Sequence, residues 1–125
     1  MDEFSSREIK RLLYLTERRI RYAASPALAD SAVYFKSGSL FECEKEPGFT
    51  CVPYAGNVKN FMNSVAIVEH PARDRRLYYM VTLVSNVLRK NSASVHMEMA
   101  SRIHRLIESL HAGSATSAKP SSSPR

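Results

Sequence analysis

The chain has 125 residues, a net charge of +6 and two cysteines, a length that allows a single domain. It contains no apolar run of roughly 18 residues and no charged start followed by an apolar segment, so we expect no membrane span and no secretory signal, and the chain as written would be cytoplasmic. Its positive charge comes largely from one helical stretch without a recognition motif, which predicts salt-sensitive attraction to polyanions and no specific nucleic-acid partner.

The first predicted element is an amphipathic helix over residues 5–22. Ser5 or Ser6 is expected to cap it, and Glu8 lies in the first turn, where a negative charge suits the helix dipole. Helical spacing predicts a buried apolar stripe made of Ile9, Leu12, Leu13 and Ile20. A different face carries four arginines, Arg7, Arg11, Arg18 and Arg21. Such a face could hold phosphates, but the expected structure is a solvated face with long side chains over apolar neighbours.

Three strands are predicted next, over residues 32–40, 61–69 and 77–85. A long excursion with Pro47-Gly48 at its centre separates the first two, and a charged hairpin loop, residues 70–76, separates the last two. The third strand is apolar on both faces, a pattern typical of a strand that is covered on both sides. We expect one edge of it to be unpaired, and exposed strand edges favour self-association.

A final amphipathic helix is predicted to run to about His111. Its expected buried stripe consists of Val95, Met99, Ile103, Leu106 and Leu110. His96, His104 and His111 fall near one side of it, at spacings that differ from the i, i+4 of two metal-binding imidazoles. We therefore expect surface histidines.

The predicted fold class is α+β, with a three-stranded antiparallel sheet flanked by N- and C-terminal helices. The domain organisation that follows is a disordered start (1–4), a folded segment (5–112) and a disordered Ser/Pro-rich tail (113–125).

The two cysteines, Cys43 and Cys51, lie close together with no histidine or further cysteine nearby. That set does not make a zinc site, and no metal or other cofactor is predicted. The short spacing fits a small disulfide that closes the loop. Two unpaired thiols fit as well, because the missing signal indicates a reducing compartment.

The candidate site is the strand segment Lys36-Ser37-Gly38-Ser39. Alternation places Lys36 and Gly38 on one face, and Ser37 on the other face or at the rim. Glycine leaves the backbone bare, so a ligand could lie against the strand beside the lysine charge and a serine hydroxyl. These residue types predict a carboxylate- or acyl-binding edge; the alternative is a polar turn that closes a strand.

The Lys-Ser-Gly triplet resembles a motif of the penicillin-recognising serine enzymes. Similarity to this superfamily extends over roughly residues 7–110, in the segments 18–22, 34–40, 54–57, 63–69 and 84–89. On these residues the chain resembles the C-terminal part of serine β-lactamases and penicillin-binding transpeptidases.

The resemblance implies a role for each residue of the candidate site. Lys36 would supply positive charge near a substrate carboxylate, and Ser37 would hydrogen-bond that carboxylate. Gly38 would leave room for the substrate to pair with the strand, and the backbone N–H of Ser39 would be one of two oxyanion donors. The implied ligand is a peptide or a β-lactam-like small molecule, and the implied parent enzyme is exported, in which case the two cysteines would be bridged.

The family's nucleophile, a serine in a Ser-x-x-Lys motif, has no counterpart upstream of Lys36. The serines upstream of Lys36 are Ser5, Ser6, Ser25 and Ser31, and none of them is followed three places later by a lysine. The Ser-Asp-Asn element is missing as well. The sequence therefore predicts a truncated β-lactamase- or transpeptidase-like serine hydrolase segment that is inactive alone. The alternatives are a small non-catalytic module that binds a peptide carboxylate, and a basic protein whose arginine face meets an anionic partner.

Overall fold

A computed structural model of the chain describes residues 1–15, 22 and 24–118, with side chains as far as residue 113. Its elements are α1 (Glu3–Tyr14), a short 3₁₀ turn (Pro26–Leu28), β1 (Ala32–Glu42), β2 (Lys59–His70), β3 (Leu77–Asn86) and α2 (Ser92–Ala118). The predicted α+β fold, with an antiparallel three-stranded sheet and a helix at each end, is confirmed. Neither helix in the described ranges is long and apolar enough to cross a membrane.

The sheet is an antiparallel meander in the order β1-β2-β3. Val33 of β1 is aligned with Val68 of β2, which is aligned in turn with Tyr79 of β3. These residues point to the inner face, which α2 covers. The buried apolar core lies there and consists of Tyr22, Leu28, Val33, Phe35, Ala66, Val68 and Ala100.

Helix α1 begins earlier than predicted, because Asp2 caps it. The Asp2 carboxylate accepts a hydrogen bond from the backbone N–H of Ser5 at 2.7 Å. The predicted cap at Ser5 or Ser6 is therefore wrong, and Glu3 is the acidic residue of the first turn. The helix ends at Tyr14, and residues 16–21 and 23 of the predicted helix lie outside the described part of the chain.

The apolar stripe predicted for α1 is not buried. Ile9 and Leu12 are 46% and 58% exposed, and Leu13 is half-buried; Ile20 is outside the described residues. Arg7 and Arg11 pair with Glu3 and Glu8 on an exposed surface, and Arg18 and Arg21 lie outside the described residues.

The side of α1 that contacts the outer face of the sheet carries Lys10 and Tyr14, both of which lie against the ring of Tyr34. Lys10 pairs with Glu69, a buried carboxylate that also pairs with Arg75. Burial alone would raise the pKa of Glu69, but its hydrogen bonds with Arg75 and Lys10 lower that pKa below its ordinary value. A buried charge is destabilising without a partner, so the pair between Lys10 and Glu69 favours this side of α1 facing the sheet.

Strand β3 is covered on one face only, and the prediction of cover on both sides is wrong. Its inner side chains pack against the core, whereas Tyr78, Met80 and Val84 on the outer face are 60%, 70% and 72% exposed. β3 is an edge strand of the sheet, and self-association through that edge stays a prediction.

Helix α2 runs to Ala118 instead of about His111, so the first six residues of the predicted tail are helical. Two of the six, Ala115 and Ala118, are alanine, the best helix former, and the other four have lower helix propensity. Residues 119–125 lie outside the described part of the chain.

The stripe of α2 that faces the sheet differs from the predicted one. The buried residues are Ser92, Ala93, His96, Ala100 and His104. Of the predicted stripe, Val95 and Ile103 are half-buried, whereas Met99, Leu106 and Leu110 are 38%, 59% and 62% exposed. The small alanines let the helix approach the sheet closely, and the histidines find polar partners there. The prediction of surface histidines is wrong for His96 and His104; His111 is exposed.

The excursion between β1 and β2 is closed by a disulfide. Cys43 and Cys51 are bonded, with their Cα atoms 6.0 Å apart. The turn between them passes through Gly48, whose φ of 76° favours glycine. By the chain-entropy argument, a loop of this length stabilises the fold by roughly 2–3 kcal/mol.

Asn60 ties this excursion to the connection between β3 and α2. Its fully buried side chain accepts a hydrogen bond from the N–H of Gly56 at 3.2 Å and donates to the carbonyl oxygens of Val87 and Lys90, each at 2.7 Å. The backbone N–H of Asn60 donates a further hydrogen bond, to Asn86 Oδ1. One buried amide thus joins three separate stretches of backbone.

Candidate functional site

The predicted binding segment lies in the middle of β1, and its side chains alternate as the sequence predicts. Lys36 and Gly38 lie on the outer face of the sheet and are exposed, and Ser37 is half-buried on the inner side. Lys36 Nζ donates a hydrogen bond to the carbonyl oxygen of Ser37 at 2.9 Å. The structure therefore brings Lys36 and Gly38 to one face, and it directs the Ser37 and Ser39 side chains to the other.

The surface beside Gly38 is open. Apart from Gly38 and its two chain neighbours, no atom of the described residues lies within 4 Å of the position that a β-carbon would take there. A shallow depression of about 280 Å³ is lined by Lys36, Ser37, Gly38, Asn63, Ser64, Val65 and Thr82. β1 is an edge strand, so a ligand could meet both the bare backbone and the lysine charge.

A second polar group lies on the inner face, between the sheet and α2. Ser64 Oγ is 2.6 Å from His96 Nδ1, and Ser85 Oγ is 2.8 Å from His96 Nε2. Ser64 and His96 are 4% and 2% exposed. A serine beside a histidine is the arrangement of an activated nucleophile, but this pair is enclosed and both ring nitrogens are occupied, so its role is to hold α2 on the sheet.

Burial lowers the pKa of His96 below its ordinary value of 6.5. The folded chain therefore binds fewer protons than the unfolded chain below that pH, and the free energy of unfolding falls as the pH drops. For one group the slope reaches about 1.4 kcal/mol per pH unit.

We expect His96→Gln to reduce the slope of stability against pH below about pH 6.5, because the variant lacks the buried imidazole whose pKa is lowered. Urea unfolding at several pH values measures this slope, and exposed His111→Gln is the matched control. An unchanged slope in His96→Gln would contradict the lowered pKa of the buried His96 imidazole.

A third group lies where β2 ends against α2. His104, fully buried, has its Nδ1 2.8 Å from the Tyr79 hydroxyl, while its Nε2 has no hydrogen-bond partner. His70 has its Nδ1 2.7 Å from Ser31 Oγ and its Nε2 3.3 Å from Glu108 Oε1. Burial and the neighbouring His70 lower the pKa of His104. Two imidazoles and a carboxylate, the side chains that bind transition metals, thus meet at one place.

Sequence reasoning missed this group because it compared histidines only along α2. A signal was present, since His104 and Glu108 are spaced i, i+4 on one helix face. His70 is 34 residues earlier in the chain and reaches the group only through the packing of α2 on the sheet.

Comparisons of the chain with protein-family models, with curated proteins and with solved structures each find no match. The similarity to penicillin-recognising serine enzymes therefore stays a prediction from the sequence segments, and the geometry described above carries the functional argument.

Proposed function

We propose that the outer face and open edge of β1 bind an extended, carboxylate-bearing peptide or peptide-like molecule, and that the chain is the substrate-binding segment of a penicillin-recognising serine hydrolase. The observation that carries the binding proposal is the bare backbone at Gly38 beside the Lys36 ammonium on the same exposed face. The sequence resemblance supports the assignment to that enzyme class.

The backbone of β1 offers the first element of recognition. Within the described residues β1 pairs on one side only, with β2. An extended ligand can therefore add to the sheet as a further strand, through main-chain hydrogen bonds. The missing side chain at Gly38 lets such a ligand approach closely.

Lys36 offers the second element. Its hydrogen bond to the Ser37 carbonyl oxygen is a bond to a neutral group. A carboxylate is a stronger acceptor for an ammonium donor, so a ligand carboxylate near Gly38 would displace this internal bond.

The proposed role is binding and not bond cleavage. No serine in this chain is followed three places later by a lysine. The Ser64 hydroxyl beside His96 is enclosed between the sheet and α2. Acyl transfer would require a nucleophile from another polypeptide segment.

The arginine face of α1 supports the alternative of a basic interaction protein less well. Arg7 and Arg11 are paired with Glu3 and Glu8. An anionic partner would have to displace these carboxylates.

The test compares one short peptide with a free C-terminal carboxylate and the same peptide as its C-terminal amide, with binding followed by NMR titration. We expect Lys36→Ala to weaken binding of the free acid about ten- to 100-fold, because it removes a charge-assisted hydrogen bond. The preference for acid over amide should vanish in this variant.

Lys45→Ala, which changes an exposed lysine of the disulfide loop, is the matched control and should bind as the parent chain does. A fluorescent penicillin should not label the chain covalently. The binding proposal fails if the acid and the amide bind equally to the parent chain, and covalent labelling at any serine would show that a nucleophile is present.

A further inference from the structure

We propose that His70, His104 and Glu108 bind a zinc ion. One ligand atom from each of these residues lies within 4.8 Å of the others. Over the described ranges of the chain, this is the one group of three metal-ligating side chains that meets that spacing. The site is separate from the β1 surface, and it does not depend on the function proposed above.

The two separations that involve Glu108 are close to those around a tetrahedral ion. Glu108 Oε1 is 3.3 Å from His70 Nε2 and 3.6 Å from His104 Nε2. Zinc bonds of about 2.0–2.1 Å at tetrahedral angles hold ligand atoms roughly 3.3 Å apart. All three ligand atoms lie within 4.8 Å of one another, so rotamer changes that draw the two imidazoles together would let the three side chains reach one ion.

The Nε2 atom of His104 provides independent support. It is buried and has no hydrogen-bond partner, which is true of no other buried side-chain nitrogen or oxygen in the part of the chain that the structure describes. Glu108 at 3.6 Å is too distant for a good hydrogen bond. Leaving a buried polar atom unsatisfied is destabilising, and a metal ion bound at this nitrogen would satisfy it.

The remaining ring nitrogens are placed as in established zinc sites. The Nδ1 atoms of His70 and His104 lie at hydrogen-bond distance from the hydroxyls of Ser31 and Tyr79. Each ring can donate its Nδ1–H to that oxygen, which leaves the Nε2 lone pair free for the metal and fixes the orientation of the ring.

The ligand set favours zinc over magnesium or calcium, because imidazole nitrogens suit transition metals and the hard cations prefer oxygen. Three protein ligands leave a fourth coordination position for water. Glu108 also lines a surface depression of about 460 Å³, together with Arg76, Leu77, His111 and Ala112. An ion can therefore reach the site from solvent.

The test titrates Zn²⁺ into the tag-free full chain in competition with a chromophoric chelator. We expect one equivalent to bind. Glu108→Gln and His70→Gln, which change partly exposed side chains, should each weaken binding at least tenfold while circular dichroism shows the fold retained. Tyr79→Phe, which removes the hydroxyl that orients His104, should weaken binding about ten- to 100-fold.

His111→Gln is the control, since His111 lies one turn beyond Glu108 outside the ligand group and should leave the affinity unchanged. Failure of the parent chain to bind one equivalent would overturn the proposal. So would unchanged affinity in Glu108→Gln, or a loss in His111→Gln as large as that in Glu108→Gln.

Discussion

Asn60→Ala is expected to lower the free energy of unfolding by about 3–5 kcal/mol, because it leaves buried polar groups without partners. The substitution removes the acceptor of the Gly56 N–H and the donor to the Val87 and Lys90 carbonyl oxygens. A typical globular domain is stable by only about 5–15 kcal/mol, so a loss of this size brings the chain close to unfolding.

Urea unfolding followed by circular dichroism measures this change. Asn63→Ala is the matched control: the same substitution on the same strand, at an exposed position on the outer face. Its effect should stay within about 0.5 kcal/mol. A loss below about 1 kcal/mol in Asn60→Ala would show that this amide does not hold the three stretches together.

Gly56→Ala is expected to destabilise the chain by about 3 kcal/mol or more, because the added methyl group has no space. A β-carbon on Gly56 would lie 2.1 Å from the carbonyl oxygen of Lys59 and 2.6 Å from that of Glu42. Both contacts are with backbone atoms, and carbon prefers a separation of about 3.5–4.0 Å. The backbone must move, and the Gly56 hydrogen bond to Asn60 is disturbed with it.

Gly38→Ala is the control for this substitution, since nothing lies within 4 Å of its added β-carbon. Its stability should equal or slightly exceed that of the parent chain. Thermal and urea unfolding of the two variants side by side give the comparison, and equal stability of both would refute the steric argument.

The strands and the orientation of β1 could be predicted from the sequence because both depend on local pattern. Aromatic and β-branched runs bounded by turns mark the three strands, and alternation fixes that Lys36 and Gly38 share a face. The face on which each β1 side chain lies is fixed by this alternation, because β1 and β2 pair without a bulge along their full register.

The buried faces of the helices could not be predicted in the same way. Periodicity shows which residues share a face but not what that face will contact. On α1, Lys10 faces the buried Glu69, whereas Ile9 and Leu12 remain exposed. On α2, two histidines with polar partners on the sheet are buried, and two leucines, Leu106 and Leu110, remain exposed.

A more sensitive signal for α2 was available in its small residues. Ala93 and Ala100 recur with His96 and His104 on one face, and small residues mark a helix that lies close to its neighbour. Serines on the inner face of the sheet supply the hydroxyls that bind His96. These partners come from distant parts of the chain, so local pattern alone could not identify them.

The attachment of α1 by charge has a consequence for how the molecule opens. The pair between Lys10 and Glu69 secures the helix to the sheet, while Phe4 and Leu15 face water at 72% and 63% exposure. Within the described residues, α1 meets the sheet through this pair and the contact between the Tyr14 and Tyr34 rings, whereas the apolar core lies beneath α2. We therefore expect the amide protons of α1 to exchange with solvent through a local opening that leaves the sheet intact, at a lower free energy than the amide protons of the sheet.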